Sequence, residues 1–214
     1  MRLNSFQLKS IAIITMLIDH TGAIIFPEYI IFRLIGRISF PIFCFLLVEG
    51  FYHTGNLFKY MMRLGIFALV SEIPYDLALY RECVNFERQN VFFTLLVGIL
   101  MMSAIKKTNS IAVKIVDVIL AMWAAQFLCS DYGMKGILLI AIYYFTRDHL
   151  AAKGILGAVW NFIWNPSVQG YGALASIPIM LYNGKKGRSM KYLFYVFYPV
   201  HLLILYFISA ILMK

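Results

Sequence analysis

An Asp19-His20 pair, Arg33, Arg37 and Glu49 stand inside a stretch, Ile11 to Glu49, that is otherwise hydrophobic enough for a lipid bilayer. An ionisable side chain within a membrane segment costs at least ~2.5–3.5 kcal/mol on insertion scales, so it faces a polar cavity or a partner and marks a functional site by default. Histidine exchanges protons near neutral pH, which makes His20 the residue of first interest. The stretch reads as two apolar helices joined by a tight Pro27-Glu28-Tyr29 turn.

Depth along each helix, at about 1.5 Å per residue, sorts the charged residues into two layers. His20 and Arg37 lie about 10 Å in from the outer turn, with Asp76 about 7 Å and Glu72 about 13 Å below Arg81. Arg33 and Arg37 are four apart, as are Glu72 and Asp76, so each pair shares a helix face and the two pairs are expected to meet across helices. Asn90, Thr94, Asp131 and Tyr132 enter the same outer half. Adjacent helical residues point to different faces, so Glu72 or Asp76, rather than Asp19, is expected to hold the second ring nitrogen of His20. A neutral imidazole simply bonded between helices is the bland alternative. The acidic and basic company of His20 favours acid–base work instead. An inner layer holds Glu49, His53, Arg63 and Asp117, with His201 near the midplane. Glu49 either pairs with Arg63 to join two helices or meets a substrate, and Asp117 reads as structural.

The elements that must position these residues are spans. The chain has 214 residues, of which 62% are hydrophobic and 14% charged, with a mean hydropathy of +0.79. Soluble domains run at about 45–50% apolar and about 25% charged. The expected fold is all-α, a single-domain polytopic membrane bundle over residues 1–214 with no aqueous domain. Nine transmembrane helices are expected near 9–26, 30–52, 57–79, 90–106, 110–129, 134–147, 151–165, 169–183 and 192–213. Thirteen Lys and Arg residues fall at the inner ends and loops against four outside, Arg81, Arg88, Lys135 and Lys214, which predicts a cytoplasmic N-terminus. The same scatter argues against nucleic acid, despite a net charge of +9. Arg2 and Lys9 before an apolar run resemble a signal peptide, but Asp19 and His20 interrupt the run, so it reads as a retained span. Cys44, Cys83 and Cys129 lack metal-ligand spacing, and no metal is expected. Cys83 and Cys129 either pair near the outer face or stay as free thiols. Pro41, Pro74, Pro178 and Pro199 predict kinks within spans.

Six blocks, LKSIAIITMLIDHTG, RLIGRISFPIFCFLLVEGFYHT, YMMRLGIFALVSEIPYD, NVFFTLLVG, DYGMKGILLI and YVFYPVHLLIL, resemble the TraX family of integral membrane proteins, in order and over nearly the whole chain. The family's known activity is N-acetylation of F-type conjugative pilin, and it is similar to the wider set of membrane acyltransferases. The resemblance implies a bacterial cytoplasmic-membrane acetyltransferase that passes an acetyl group from cytosolic acetyl-CoA to an outer-face amine or hydroxyl, on a pilin or a surface glycan. It makes His20 the catalytic histidine, as general base or as covalent acyl carrier, within a set that includes Asp19, Arg37, Glu72 and Asp76. Arg33, Glu49, His53, Arg63, Asn90, Asp131, Tyr132 and His201 would contact substrate, and Lys106 and Lys107 would meet the phosphates of acetyl-CoA. A transporter or flippase, and a non-catalytic assembly factor for a surface structure, are the rival classes.

Overall fold

The computed structural model describes residues 2–188 and 191–212, with the side chain of Lys191 and the expected outer-face Lys214 lying outside the described set. The described residues form ten α-helices: α1 Ser5–Ile24, α2 Ile30–Gly36, α3 Ser39–His53, α4 Leu57–Tyr80, α5 Val91–Ile105, α6 Ile111–Phe127, α7 Gly133–Phe145, α8 Leu150–Trp164, α9 Ser176–Met180 and α10 Lys191–Leu212. A 3-10 helix, Gln169–Ala175, leads into α9. Isolated bridges, Leu3 with Tyr182 and Gln89 with Ser130, are the only β pairing among the described residues. The all-α expectation therefore holds.

Local chemistry explains where the helices begin. Asn4 and Gln7 form a reciprocal cap on α1, each side chain accepting from the other's backbone N–H at 3.0 and 2.9 Å. Asn56 accepts from Lys59 N–H at 2.8 Å to start α4, and Asn90 accepts from Phe92 N–H at 3.0 Å to start α5. Arg81, in the left-handed region at φ 63°, ends α4.

Two expectations change. The helix over 30–52 is interrupted at Arg37-Ile38, because Pro41 has no N–H for the Arg37 carbonyl and its ring crowds that oxygen. Pro74 and Pro199, by contrast, are carried inside α4 and α10. The helix over 169–183 does not form in one piece. Gly170, Gly172 and Pro178 weaken it, and the tight approach of Gly172 to Asn161, Gln169 and the Arg37 carbonyl holds the first half in the narrower 3-10 form.

Successive segments run up and down between two ends. At one end Leu3 bridges Tyr182, Lys9 lies over the Phe194 ring, Arg147 reaches Glu49 and Lys106 lies over Phe51. At the other, Gln89 bridges Ser130, Trp160 donates to the Lys135 carbonyl and Arg81 donates to Ser209. The core lies between α1, α3, α5 and α7, with α10 closing against α1 and α4.

The outward faces are apolar. Ile66, Leu69, Val70 and Ile73 form such a stripe on α4, as do Ile115, Ile119, Leu120, Trp123 and Phe127 on α6 and Val200, Ile204, Phe207 and Ile211 on α10. Leu69 is 69% and Phe127 89% exposed. A soluble helix shows the reverse pattern, and an exposed apolar surface of this extent needs a nonpolar neighbour. Ile30–His53, at 24 residues, and Tyr192–Leu212, at 21, are long and apolar enough to cross a membrane. Val91–Ile105, Gly133–Phe145 and Leu150–Trp164 are apolar but shorter. These features suggest a membrane protein.

Gly36 sets the approach of α2 to α1, since a Cβ there would land on the Asp19 carboxylate. Gly36→Ala must push the two helices apart. We expect it to lower thermal stability in detergent by the usual overpacking cost of about 1–3 kcal/mol, measured as a fall in Tm.

Candidate active site

The turn after α1 folds α2 back along it, so Arg33 and Arg37, one helical turn apart, both reach Asp19. Asp19 is buried, with Oδ2 at 2.6 Å from Arg33 Nη1 and Oδ1 at 2.6 Å from Arg37 Nη2. Arg33 Nη1 also donates to the Asp19 carbonyl, and Arg37 Nε donates to the Arg33 carbonyl, each at 3.3 Å. The expected pairing of these arginines with Glu72 and Asp76 is therefore replaced by pairing within the first hairpin. Glu72 instead accepts from the backbone N–H of Asn90 at 2.9 Å and from its side-chain amide. Asp76 accepts from Asn85 N–H at 2.9 Å. Both carboxylates fasten the α4–α5 connection, and Asn90, which also donates to the Ala68 carbonyl at 2.8 Å, is part of that fastening.

His20 takes a different partner from the one expected. Its Nδ1 lies 2.7 Å from Nε2 of His201, whose own Nδ1 lies 2.8 Å from the Phe197 carbonyl. A carbonyl only accepts, so the neutral His201 carries its proton on Nδ1 and offers a lone pair on Nε2. His20 must then donate from Nδ1. This order of bonds assigns the tautomers and leaves His20 Nε2 unprotonated. His201, expected near the midplane, thus stands against His20. Its ring is clamped by Phe197 at 4.6 Å between centroids and by the edge of Tyr198 at 5.7 Å. Neither Glu72 nor Asp76 holds His20.

Asp19, His20, Arg33 and Arg37 form one wall of a cavity of about 580 Å³. Tyr75, Leu79 and Tyr80 from α4, Arg88 from the next loop, Asp131 and Tyr132 before α7, and Trp164, Asn165, Val168 and Gln169 complete it. The Gln89–Ser130 bridge brings Arg88 to within 4.0 Å of Asp131. Burial pushes the Asp131 carboxyl up from its ordinary pKa, against the opposing pull of Arg37 and Arg88. Tyr132 stacks on Phe40 and meets the edge of Trp164 at 5.8 Å between centroids.

Gln169 was not anticipated. Its Nε2 donates to Asn161 Oδ1 at 2.8 Å, and Asn161 Nδ2 donates to the Gly157 carbonyl at 2.8 Å, so the amide chain has one direction. The Gln169 side-chain oxygen is therefore an acceptor on a side chain that lines the cavity. Three amides, Asn161, Asn165 and Gln169, in the segment WNFIWNPSVQG were the available signal.

The inner residues stay apart from this cavity. Glu49 meets Arg147 Nε at 3.7 Å and His53 Nδ1 at 3.9 Å rather than Arg63, which lies over the Tyr60 ring at 5.6 Å. Arg147 also covers Tyr52 at 4.0 Å, which draws it across the Glu49 carboxylate. Lys106 lies over Phe51 at 5.6 Å and Lys107 is exposed. Cys83 and Cys129 are free and exposed, and Cys44 is free and buried.

Removing Asp19 would strand two guanidiniums below the surface. Breaking a buried pair by deleting one partner costs about 3–5 kcal/mol. We expect Asp19→Ala to lose that much stability, read as a large fall in Tm, with Arg33→Gln in the same background recovering part of it.

A family description, TraX protein, matches residues 5–209. A probable fimbrial assembly protein, FimC, from Dichelobacter nodosus is 33% identical over 231 residues, covering 94% of each chain. An uncharacterised protein from Rickettsia prowazekii is 30% identical over 148 residues, covering 66% of this chain and 55% of its own. No solved structure matches. With near end-to-end coverage in both comparisons, the chain belongs to the TraX family.

Proposed function

We propose that this protein is a multi-pass acetyltransferase of a bacterial cytoplasmic membrane. It takes acetyl from acetyl-CoA at its inner face and gives it to an amine or hydroxyl at its outer face. The observation that carries the reading is the ordered chain from the Phe197 carbonyl through His201 to His20, which leaves a lone pair on His20 Nε2 beside a cavity of substrate size. Family membership supports the transfer chemistry. The printed name of the Dichelobacter relative supports an acceptor in fimbrial or pilin assembly, with a surface glycan as the other acceptor class.

In the general-base route His20 Nε2 takes the proton from the acceptor as its nitrogen or oxygen attacks the thioester carbonyl. The imidazolium formed shares its charge with His201, whose Nε2 keeps accepting from Nδ1 of His20. Arg37 or Tyr132 stabilises the tetrahedral oxyanion, a role worth ~3–4 kcal/mol for one good donor. The intermediate collapses by breaking the C–S bond, and the thiolate leaves with the proton that His20 holds. In the covalent route Nε2 itself attacks the thioester and the C–S bond breaks, releasing the thiolate and leaving an acetyl-imidazolium. The acceptor then attacks the acetyl carbonyl, the N–C bond breaks to restore neutral His20, and the acceptor's proton goes to the thiolate.

The two ends of the bundle support this membrane placement. Nine crossings, with the 3-10 helix and α9 together forming the eighth, leave Lys106, Lys107, Lys185 and Lys186 on the face opposite the cavity. There they would meet the phosphates of acetyl-CoA, while its thioester arm passes between helices toward His20.

The test is radiolabelled acetyl-CoA with the purified protein in detergent and no acceptor. Hydrolysis or self-labelling is expected in wild type and should fall by about 10²–10⁴ in His20→Ala. His201→Ala, which removes the acceptor for Nδ1 of His20, should lower it by a smaller factor and shift its pH profile. Hydrolysis with no label on the trapped protein favours the general base; a labelled His20 peptide favours the covalent route. A folded wild type that neither binds nor hydrolyses acetyl-CoA would overturn the proposal.

A further inference from the structure

The cavity holds more positive hydrogen-bond donors than acetyl transfer uses. Three guanidiniums, Arg33, Arg37 and Arg88, line it against two carboxylates, Asp19 and Asp131. Arg33 commits only Nη1, to Asp19, and Arg37 commits Nη2 to Asp19 and Nε to the Arg33 carbonyl. The other nitrogens of both groups have no protein acceptor among the described residues, and neither side chain leaves a buried atom unsatisfied there. Arg88 has a side chain 58% exposed and meets Asp131 at 4.0 Å, beyond hydrogen-bond distance. One good donor serves a thioester oxyanion, so Arg33 and Arg88 are surplus to that step.

We propose that the acceptor carries an anionic group, a phosphate or a carboxylate, and that Arg33 and Arg88 grip it while the nucleophile meets His20. The word acceptor rests on the acetyltransferase reading; the anion site itself does not. A guanidinium presents a planar fork that matches either anion with two parallel bonds, and Arg33 is already oriented by Asp19. Anchoring there fixes the nucleophile near His20, the next residue along α1, through binding made at a remote part of the acceptor. Asp131 lies beside the anion site as the competing charge, and its loose contact with Arg88 is one that an incoming anion can replace.

The test is equilibrium dialysis of the full-length protein in detergent, without acetyl-CoA, against radiolabelled inorganic phosphate and radiolabelled formate at constant ionic strength. Saturable binding of one of them is expected, and the tighter anion identifies the group. Arg88→Gln lies in a connection between helices, is expected to fold, and should weaken binding roughly tenfold or more. Asp131→Asn should move it the other way. Absence of saturable binding to wild type, or equal binding by Arg88→Gln, would overturn the proposal. Displacement of the bound anion by adenosine 3′,5′-bisphosphate at far lower concentration would also overturn it, by assigning the arginines to the acetyl donor. No turnover is involved, so failure here is distinct from a failure to hydrolyse acetyl-CoA.

Discussion

Asp19 shared between Arg33 and Arg37 is the constraint on which the rest of the site depends. Three charges at that depth are tolerable only because each finds the others at hydrogen-bond distance. The triad needs α2 to lie against α1, which needs a glycine at position 36. Just beyond it, Pro41 interrupts the helical hydrogen bonding by denying the Arg37 carbonyl its partner. The same break lets the 3-10 helix approach with Gly172 against the Arg37 backbone, and that approach carries Gln169 to the cavity.

The Asp-His dipeptide divides its labour by geometry. Successive residues of a helix point about 100° apart, so Asp19 turns to α2 and His20 to α10. Asp19 anchors the hairpin, and His20 is left free for the proton transfer proposed for it. The His20 ring is oriented by a second histidine rather than by a carboxylate. A carboxylate partner would stabilise the imidazolium strongly; His201 fixes the tautomer while adding no charge to a cavity already rich in it.

Much of this was legible from residue type and spacing. The apolar run lengths located the helices, and the outer-layer reading brought His20, Arg33, Arg37, Asp131 and Tyr132 to one place. What misled was partner choice. Depth along a helix says which residues share a level, but not which side of the bundle they face, so Glu72 and Asp76 were matched to arginines across helices when backbone amides of Asn90 and Asn85 claimed them. His201 was expected near the midplane, but its pairing with His20 could not be read from depth alone. Gln169 and Asn161 escaped notice because a neutral amide in an apolar run carries no charge signal, and the glycine-rich 169–175 region reads like an ordinary weak helix.

The broken eighth segment bears on energetics as well as shape. Seven residues of 3-10 helix and five of α-helix rise about 22 Å together, short of the ~30 Å hydrocarbon thickness of a bilayer. In the proposed orientation this segment starts at a cavity open to the outer face. With outer water filling that cavity, the voltage of an energised membrane would drop over a shorter path beside it, at about 2.3 kcal/mol per charge per 100 mV. In the proposed transfer, a proton removed from the acceptor and carried inward with the thiol would travel along this field, and the membrane potential would help to drive it.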